Sequence, residues 1–186
     1  MYDPTPRSID HVSLIKEAFT NNTKPDNDKR FGGGDVDYIE CLFRHRCDPQ
    51  QLVFDSKAVT GDPTQTHARF FMPKNKEHVS CSLLENASYF DTSSYYDVEC
   101  TTLAQEMKHH GHDRIDLLKL DVEGVECDIL KDLFDHKVYP TIICVEFDLL
   151  RYDPGNEKVR HILTEIERLG YKLFYRSGLD FTFMRC

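Results

Sequence analysis

The stretch IDLLKLDVEGVE, residues 115–126, decides how this chain folds. Its apolar first half predicts a buried strand that ends at Asp121, and Gly124 permits a tight turn before the next helix. That helix is predicted from five apolar residues at helical spacing: Val125, Ile129, Leu130, Leu133 and Phe134. A second apolar strand follows over residues 141–147. Buried strands separated by a helix are typical of a parallel sheet that is covered on both faces.

The C-terminal part adds a helix and a hairpin to this unit. Asn156 is expected to cap a helix that Gly170 ends. Residues 171–175 and 181–184 are then predicted to form two strands joined by a short turn. The sequence therefore predicts an α/β fold whose sheet is mostly parallel and ends in an antiparallel hairpin.

The N-terminal half has weaker patterns. Thr5 and Pro6 indicate the start of a first helix, and a second is predicted over residues 35–46. Residues 21–35 and 73–96 are polar with little periodicity, and we expect both to be loops. Short strands are predicted over residues 52–59, 67–71 and 98–100, and a helix over residues 102–110. The length suits a single domain over residues 1–186.

Composition limits the kinds of partner. The chain has 186 residues and a formal net charge of −9, from 32 acidic and 23 basic residues, which disfavours nucleic acid. No apolar run is long enough to cross a bilayer, so no membrane segment is expected. Seven cysteines without a Cys-x-x-Cys pair and nine histidines without zinc-ligand spacing predict no metal site. Unpaired thiols and the lack of a signal sequence favour a cytoplasmic location by default.

Three carboxylates follow predicted strands: Asp3, Asp121 and Glu146. Ligands of open α/β sheets bind at the carboxyl ends of the strands, where a carboxylate can accept hydrogen bonds from the hydroxyl groups of a ribose. A carboxylate at this place can also simply cap the next helix. His78, in the second predicted loop, is a candidate general base, and a surface histidine is the alternative. The glycines at 32–34 follow a polar segment and no strand, which argues against a phosphate loop.

Four segments of the chain, taken in order, carry a family resemblance. Residues 2–9 read YDPTPRSI, residues 78–83 HVSCSL, and residues 143–147 ICVEF, in addition to IDLLKLDVEGVE. They resemble the motifs F(D/E)PTPKSI, HVSxSL, ICVEFH and IDLLKLDIEGAE of the FkbM-type S-adenosylmethionine-dependent methyltransferases. Asp148 stands where that family frequently has histidine. The four matches run in family order and cover most of the chain.

The resemblance implies a class I methyltransferase fold, which is Rossmann-like, and S-adenosylmethionine as the cofactor. It implies that Asp3 binds the cofactor ribose and that Ala58 and Val59 lie beside the adenine. Asp121 would also contact the cofactor, facing the methyl donor and acceptor. The implied reaction is O-methyl transfer to a hydroxyl group of a small molecule or sugar.

The resemblance also limits which side chains can act as the base in that reaction. The acceptor hydroxyl loses a proton, and a positioned side chain must accept it. His78, Asp121 and Glu146 are the candidates, in no firm order.

One departure from the family lies before Asp3. The family's first strand, which is the centre of its sheet, and its glycine-rich cofactor loop should precede that residue, and the chain has no room for them. We expect an N-terminally incomplete fold that results from truncation, which could also have removed a signal or anchor. The alternatives are a degenerate, non-catalytic homologue that acts as a binding module, and a chain completed by a partner, as an oligomer through the incomplete sheet. A nucleotide-binding oxidoreductase is a third reading that no glycine fingerprint supports.

Overall fold

The computed structural model of the chain describes residues 1–21, 48, 51–75, 81–83 and 90–185. The chain forms two compact units, residues 1–57 and residues 58–186. The predicted helix over residues 35–46 lies outside the described residues. So does the predicted loop over residues 21–35, apart from its first residue, which ends a helix.

The first unit contains helix α1, Pro6–Asn21. Thr5 begins this helix as predicted, since its Oγ1 accepts a hydrogen bond of 3.4 Å from the Ser8 amide. Before the helix, Tyr2 forms an isolated parallel bridge with Asp55. The start of the chain is therefore extended and then turns into α1.

The second unit opens with a three-stranded sheet of β1 (Ala58–Val59), β2 (His67–Pro73) and β3 (Phe90–Thr101), in the order β1-β3-β2. β1 is parallel to β3, and β2 is antiparallel to β3. β1 is the part of the predicted strand over residues 52–59 that joins a sheet. The apolar core of this sheet consists of Ala58, Phe70, Cys81 and Val98.

Strand, and not loop, is found at both ends of the segment predicted as a loop over residues 73–96. β2 continues to Pro73 and β3 begins at Phe90, and these two residues face each other across the ladder. Main-chain hydrogen bonds to β2 keep this Ser-rich segment extended despite its polarity, and Tyr95 and Tyr96 have high strand propensity.

The second sheet contains β4 (Leu117–Leu120), β5 (Ile142–Glu146), β6 (Tyr171–Ser177) and β7 (Asp180–Arg185), in the order β4-β5-β7-β6. β4 and β5 are parallel, whereas β7 is antiparallel to both of its neighbours. The α/β character and the C-terminal antiparallel hairpin are thus confirmed. The described sheets are mixed, however, and not mostly parallel, because the β6–β7 and β2–β3 ladders are both antiparallel.

Four helices lie among the described residues of this unit: α2 (Leu103–His110), α3 (Glu126–Asp135), α4 (Leu149–Tyr152) and α5 (Glu157–Arg168). Asn156 caps α5 as predicted, because its side chain accepts hydrogen bonds from two amides of the first turn. α3 and α5 bury apolar faces that include Ile129, Leu130, Leu133, Val159, Ile162 and Ile166. Among the described helices, none combines the length and the apolar character that a bilayer span requires.

Gly61 allows the chain after β1 to approach α3 closely. A Cβ atom built on Gly61 would overlap the main-chain carbonyl group of Asp128 in α3. Because the neighbour is backbone, a side chain at this position cannot be accommodated by rotation alone.

Replacing Gly61 therefore tests this close approach. We expect Gly61→Ala to lower the free energy of unfolding by about 1–3 kcal/mol, because backbone atoms must shift to accept the methyl group. Gly155→Ala is the matched control, since the nearest atom to its added Cβ is 3.6 Å away, and we expect a change within ~0.5 kcal/mol. Urea unfolding of both variants measures the difference, and equal stabilities would contradict the packing described.

Candidate functional site

The turn between β4 and α3 gives the candidate site its shape. Glu123 has a φ of 56° and Gly124 a φ of 114°, both in the left-handed region. The Gly124 amide donates a hydrogen bond of 2.7 Å to Glu126 Oε1, in the first residue of α3. The Ser82 hydroxyl donates a second hydrogen bond, also of 2.7 Å, to the carbonyl oxygen of Glu123. The turn is therefore fixed both by Glu126 of its own helix and by Ser82.

Asp121 and Glu146 lie at the carboxyl ends of neighbouring parallel strands, as the sequence predicts. The register of β4 and β5 puts both residues at the same edge of the sheet. Asp121 is half exposed and forms an ion pair of 3.4 Å with Lys119. Glu146 is more buried and forms an ion pair of 2.9 Å with Arg151 of α4.

Asp148 joins Asp121 and Glu123 in a carboxylate cluster. One carboxylate oxygen from each of these three residues lies within 4.8 Å of the other two. The Asp148 side chain is only 5% exposed. Arg151 donates a hydrogen bond of 2.9 Å to its Oδ1, whereas its Oδ2 is buried and has no hydrogen-bond partner in the described part of the chain. The cluster thus combines two accessible carboxylates with one that is almost fully removed from water.

Glu126 lies beneath the turn and is completely buried. Its Oε1 accepts the Gly124 hydrogen bond, while its Oε2 has no hydrogen-bond partner. Burial, together with the charges of Asp148 and Glu123, raises the pKa of Glu126 to about 7 despite the opposing effect of the Gly124 hydrogen bond. This carboxyl group can therefore be protonated near neutral pH.

Burial and neighbouring carboxylates also act on Glu146. Burial raises its pKa, the charges of Asp148, Asp121 and Asp180 raise it further, and Arg151 lowers it. Perturbed carboxyl groups of this kind concentrate at functional sites because proton transfer and cation binding require them. The edge of β4 and β5 can therefore attract a cation or accept a proton.

Asp3 belongs to the first unit and stabilises the start of α1. Its Oδ1 accepts a hydrogen bond of 2.9 Å from the Thr5 amide, and its Oδ2 one of 2.6 Å from the Ser8 hydroxyl. Each carboxylate oxygen has a second lone pair, so these bonds leave capacity for a ligand hydroxyl. The ribose role of Asp3 stays a prediction.

The other predicted site residues differ in what the structure shows. Ala58 and Val59 are buried in β1, and Ala58 belongs to the apolar core of the first sheet. Any contact of these residues with an adenine would therefore involve main-chain atoms or require local opening. His78 lies outside the described residues, so its role as a base stays a prediction.

Sequence reasoning missed Asp148 and Arg151 as members of the site. Asp148 stands two residues after Glu146 at the end of a predicted strand, and this position was the available signal. Arg151 gave no signal, because its contacts with Glu146 and Asp148 depend on the short helix α4 that follows.

Comparison with known proteins identifies one family. The family model described as "Methyltransferase FkbM domain" matches residues 59–173, which is more than half of the chain. The matched span includes the carboxylate cluster and Glu146, and it begins after Asp3 and Ala58. No curated protein and no solved structure matches the chain.

Removal of the Ser82 hydroxyl tests how the turn is fixed. We expect Ser82→Ala to lower the free energy of unfolding by about 1–3 kcal/mol, because the carbonyl of Glu123 loses this hydrogen bond in a partly buried place. Ser13→Ala, on the exposed face of α1, is the control and should change stability by less than ~0.5 kcal/mol. Denaturant unfolding compares the two variants. A Ser82 variant as stable as the control would show that this bond does not fix the turn.

The buried carboxyl group of Glu126 should make stability depend on pH. Its ordinary pKa of 4.5 applies to the unfolded chain and about 7 to the folded chain. The folded state thus keeps a proton that the unfolded state has lost, and stability falls as the pH rises through this window. Between pH 4 and pH 8, the unfolding free energy of wild type should fall by about 2–3 kcal/mol more than that of Glu126→Gln. Denaturant unfolding in the presence of EDTA measures both.

Glu157→Gln is the control for this measurement, because Glu157 is 83% exposed. The stability of this control relative to wild type should stay nearly constant over the same pH range. Parallel pH curves for wild type and Glu126→Gln would show that Glu126 does not titrate abnormally.

Proposed function

Because the chain belongs to the methyltransferase FkbM domain family, we propose that it is an S-adenosylmethionine-dependent methyltransferase domain that methylates a hydroxyl oxygen of a small molecule or sugar. In this proposal its sheet is part of a class I, Rossmann-like fold. The order β4-β5-β7-β6, with α3 and α5 among its connecting helices, supports that arrangement.

The single observation that carries the proposal is the set of carboxylates at the carboxyl ends of β4 and β5, within the span that the family model matches. Ligands of α/β sheets bind at this edge. When bound, S-adenosylmethionine supplies a methyl group activated by a positively charged sulfur. The half-exposed Asp121 and the unpartnered Oδ2 of Asp148 give this edge a negative charge that fits such a ligand.

The residues of this chain would share three tasks. Asp121 would orient the donor and the acceptor, Asp3 would bind the ribose hydroxyls, and the main chain at Ala58 and Val59 would lie beside the adenine. A base must accept the proton of the acceptor hydroxyl, and Asp121, Glu146 and His78 are its candidates. Alignment of the acceptor oxygen with the methyl group would supply most of the remaining rate enhancement.

The acceptor is proposed to be small and not a nucleic acid. The net charge of −9 and the acidic edge of β4 and β5 would repel a phosphate backbone. The chain is also proposed to pair with a second copy through the second sheet. Its edge strand β4 has no strand partner on one side among the described residues.

Calorimetric titration of the full chain with S-adenosylmethionine tests the proposal. We expect saturable binding that weakens at least about tenfold in Asp121→Asn and in Asp3→Ala. Asp135→Asn is the control, since Asp135 is an exposed residue of α3 that pairs with Lys131, and its affinity should equal that of wild type. Absence of S-adenosylmethionine binding by a folded, monodisperse wild-type sample would exclude catalysis by this chain and favour a binding module. Binding of NAD in place of S-adenosylmethionine would favour an oxidoreductase.

A further inference from the structure

We propose that Asp121, Glu123 and Asp148 together bind a hard divalent cation of the Mg²⁺, Mn²⁺ and Ca²⁺ class. The cysteine and histidine spacing of the sequence predicts no metal site, and that prediction concerns nitrogen and sulfur ligands. The site proposed here has oxygen ligands only, which this class of cation prefers.

The geometry of the three carboxylates fits one cation. Their ligand oxygens lie within 4.8 Å of one another. Two oxygens bound to the same Ca²⁺, at about 2.3–2.6 Å each, can lie up to roughly 5 Å apart. The smaller Mg²⁺ requires a separation nearer to about 4 Å. Asp121 is half exposed, and its ion pair with Lys119 spans 3.4 Å, so its side chain has room to make that adjustment.

The carboxyl groups of Asp148 and Glu126 provide independent support for a bound cation. Asp148 Oδ2 and Glu126 Oε2 are buried, and neither has a hydrogen-bond partner among the residues that the structure describes. Asp148 belongs to the cluster itself, and its side chain is only 5% exposed. Native proteins rarely leave such an oxygen unsatisfied, because a buried carboxylate needs an ionic or hydrogen-bonding partner. A cation bound between Asp148 and the two more accessible carboxylates would supply that partner.

The charge balance around the cluster points the same way. Two further carboxyl groups, those of Glu126 and Glu146, lie near the cluster, since the charges of its members raise the pKa of both. Among the described residues, Lys119 forms an ion pair with Asp121, and Arg151 forms ion pairs with Glu146 and Asp148. Arg151 is already engaged with Oδ1 of Asp148 and with Glu146.

Cation binding itself does not depend on the proposed methyl transfer. Its consequence for chemistry does rest on that proposed function. An ion at this edge of the sheet would bind the acceptor oxygen, lower its pKa and orient it. Methyl transfer would then require the cation, and its loss on chelation would be restored by Mg²⁺ or Mn²⁺.

Titration of the metal-free full chain with Mn²⁺ alone, followed by electron paramagnetic resonance of the free ion, tests the site. We expect one saturable site, competed by Mg²⁺ or Ca²⁺, and an affinity at least about tenfold lower in Asp121→Asn and in Asp148→Asn. Asp135→Asn, an exposed carboxylate outside the cluster, should bind Mn²⁺ as wild type does. Asp121 is half exposed, so its variant is expected to fold even if Asp148→Asn does not.

Two results would overturn the cation site: no saturable Mn²⁺ binding by the folded wild type, or equal affinities in Asp121→Asn and Asp135→Asn. The S-adenosylmethionine titration, repeated in EDTA, separates this outcome from the proposed function. Binding of the cofactor without Mn²⁺ binding would remove the cation site and leave the methyltransferase proposal standing. Mn²⁺ binding without cofactor binding would do the reverse.

Discussion

The hydrogen bond from the Gly124 amide to the buried carboxyl group of Glu126 is the interaction on which the site depends. It joins the turn after β4 to the first residue of α3, and it stabilises two successive residues at positive φ in that turn. Such a turn is unfavourable alone, most of all for a non-glycine residue such as Glu123. With this bond and the Ser82 hydroxyl in place, Asp121 and Glu123 project from a fixed backbone beside Asp148.

This arrangement places carboxyl groups where burial lowers the stability of the fold. Glu126 is fully buried and Asp148 is almost fully buried. Each has one carboxyl oxygen without a hydrogen-bond partner among the described residues. An apolar residue at either position would avoid the desolvation of a carboxyl group. Retention of both groups at the carboxyl edge of β4 and β5 is understandable if the edge binds a cationic ligand, because burial strengthens electrostatic attraction. The same feature explains the raised pKa values of Glu126 and Glu146.

The sequence was sufficient for the parts of the molecule that local patterns determine. The strand before Asp121, the Asn156 cap and the C-terminal hairpin follow from apolar spacing and capping residues, and the structure contains all three. The start of β3 could not be predicted, because pairing with β2 decides it and its own residues are polar. The same limit applies to the site. Asp121 and Glu146 follow from strand ends, whereas the role of Asp148 depends on burial and on contacts with Arg151, which only the folded chain brings about.

The central claim is that the carboxyl edge of β4 and β5 binds the methyl donor. Amide chemical shifts of the ¹⁵N-labelled chain, recorded during titration with S-adenosylhomocysteine, test it most directly. We expect the largest shifts at residues 121–125 and 146–148. The contradicting result is an absence of shifts there, with changes confined to the distant pocket of about 530 Å³ between α5 and β6, lined by Leu163, Ile166, Tyr171 and Leu173.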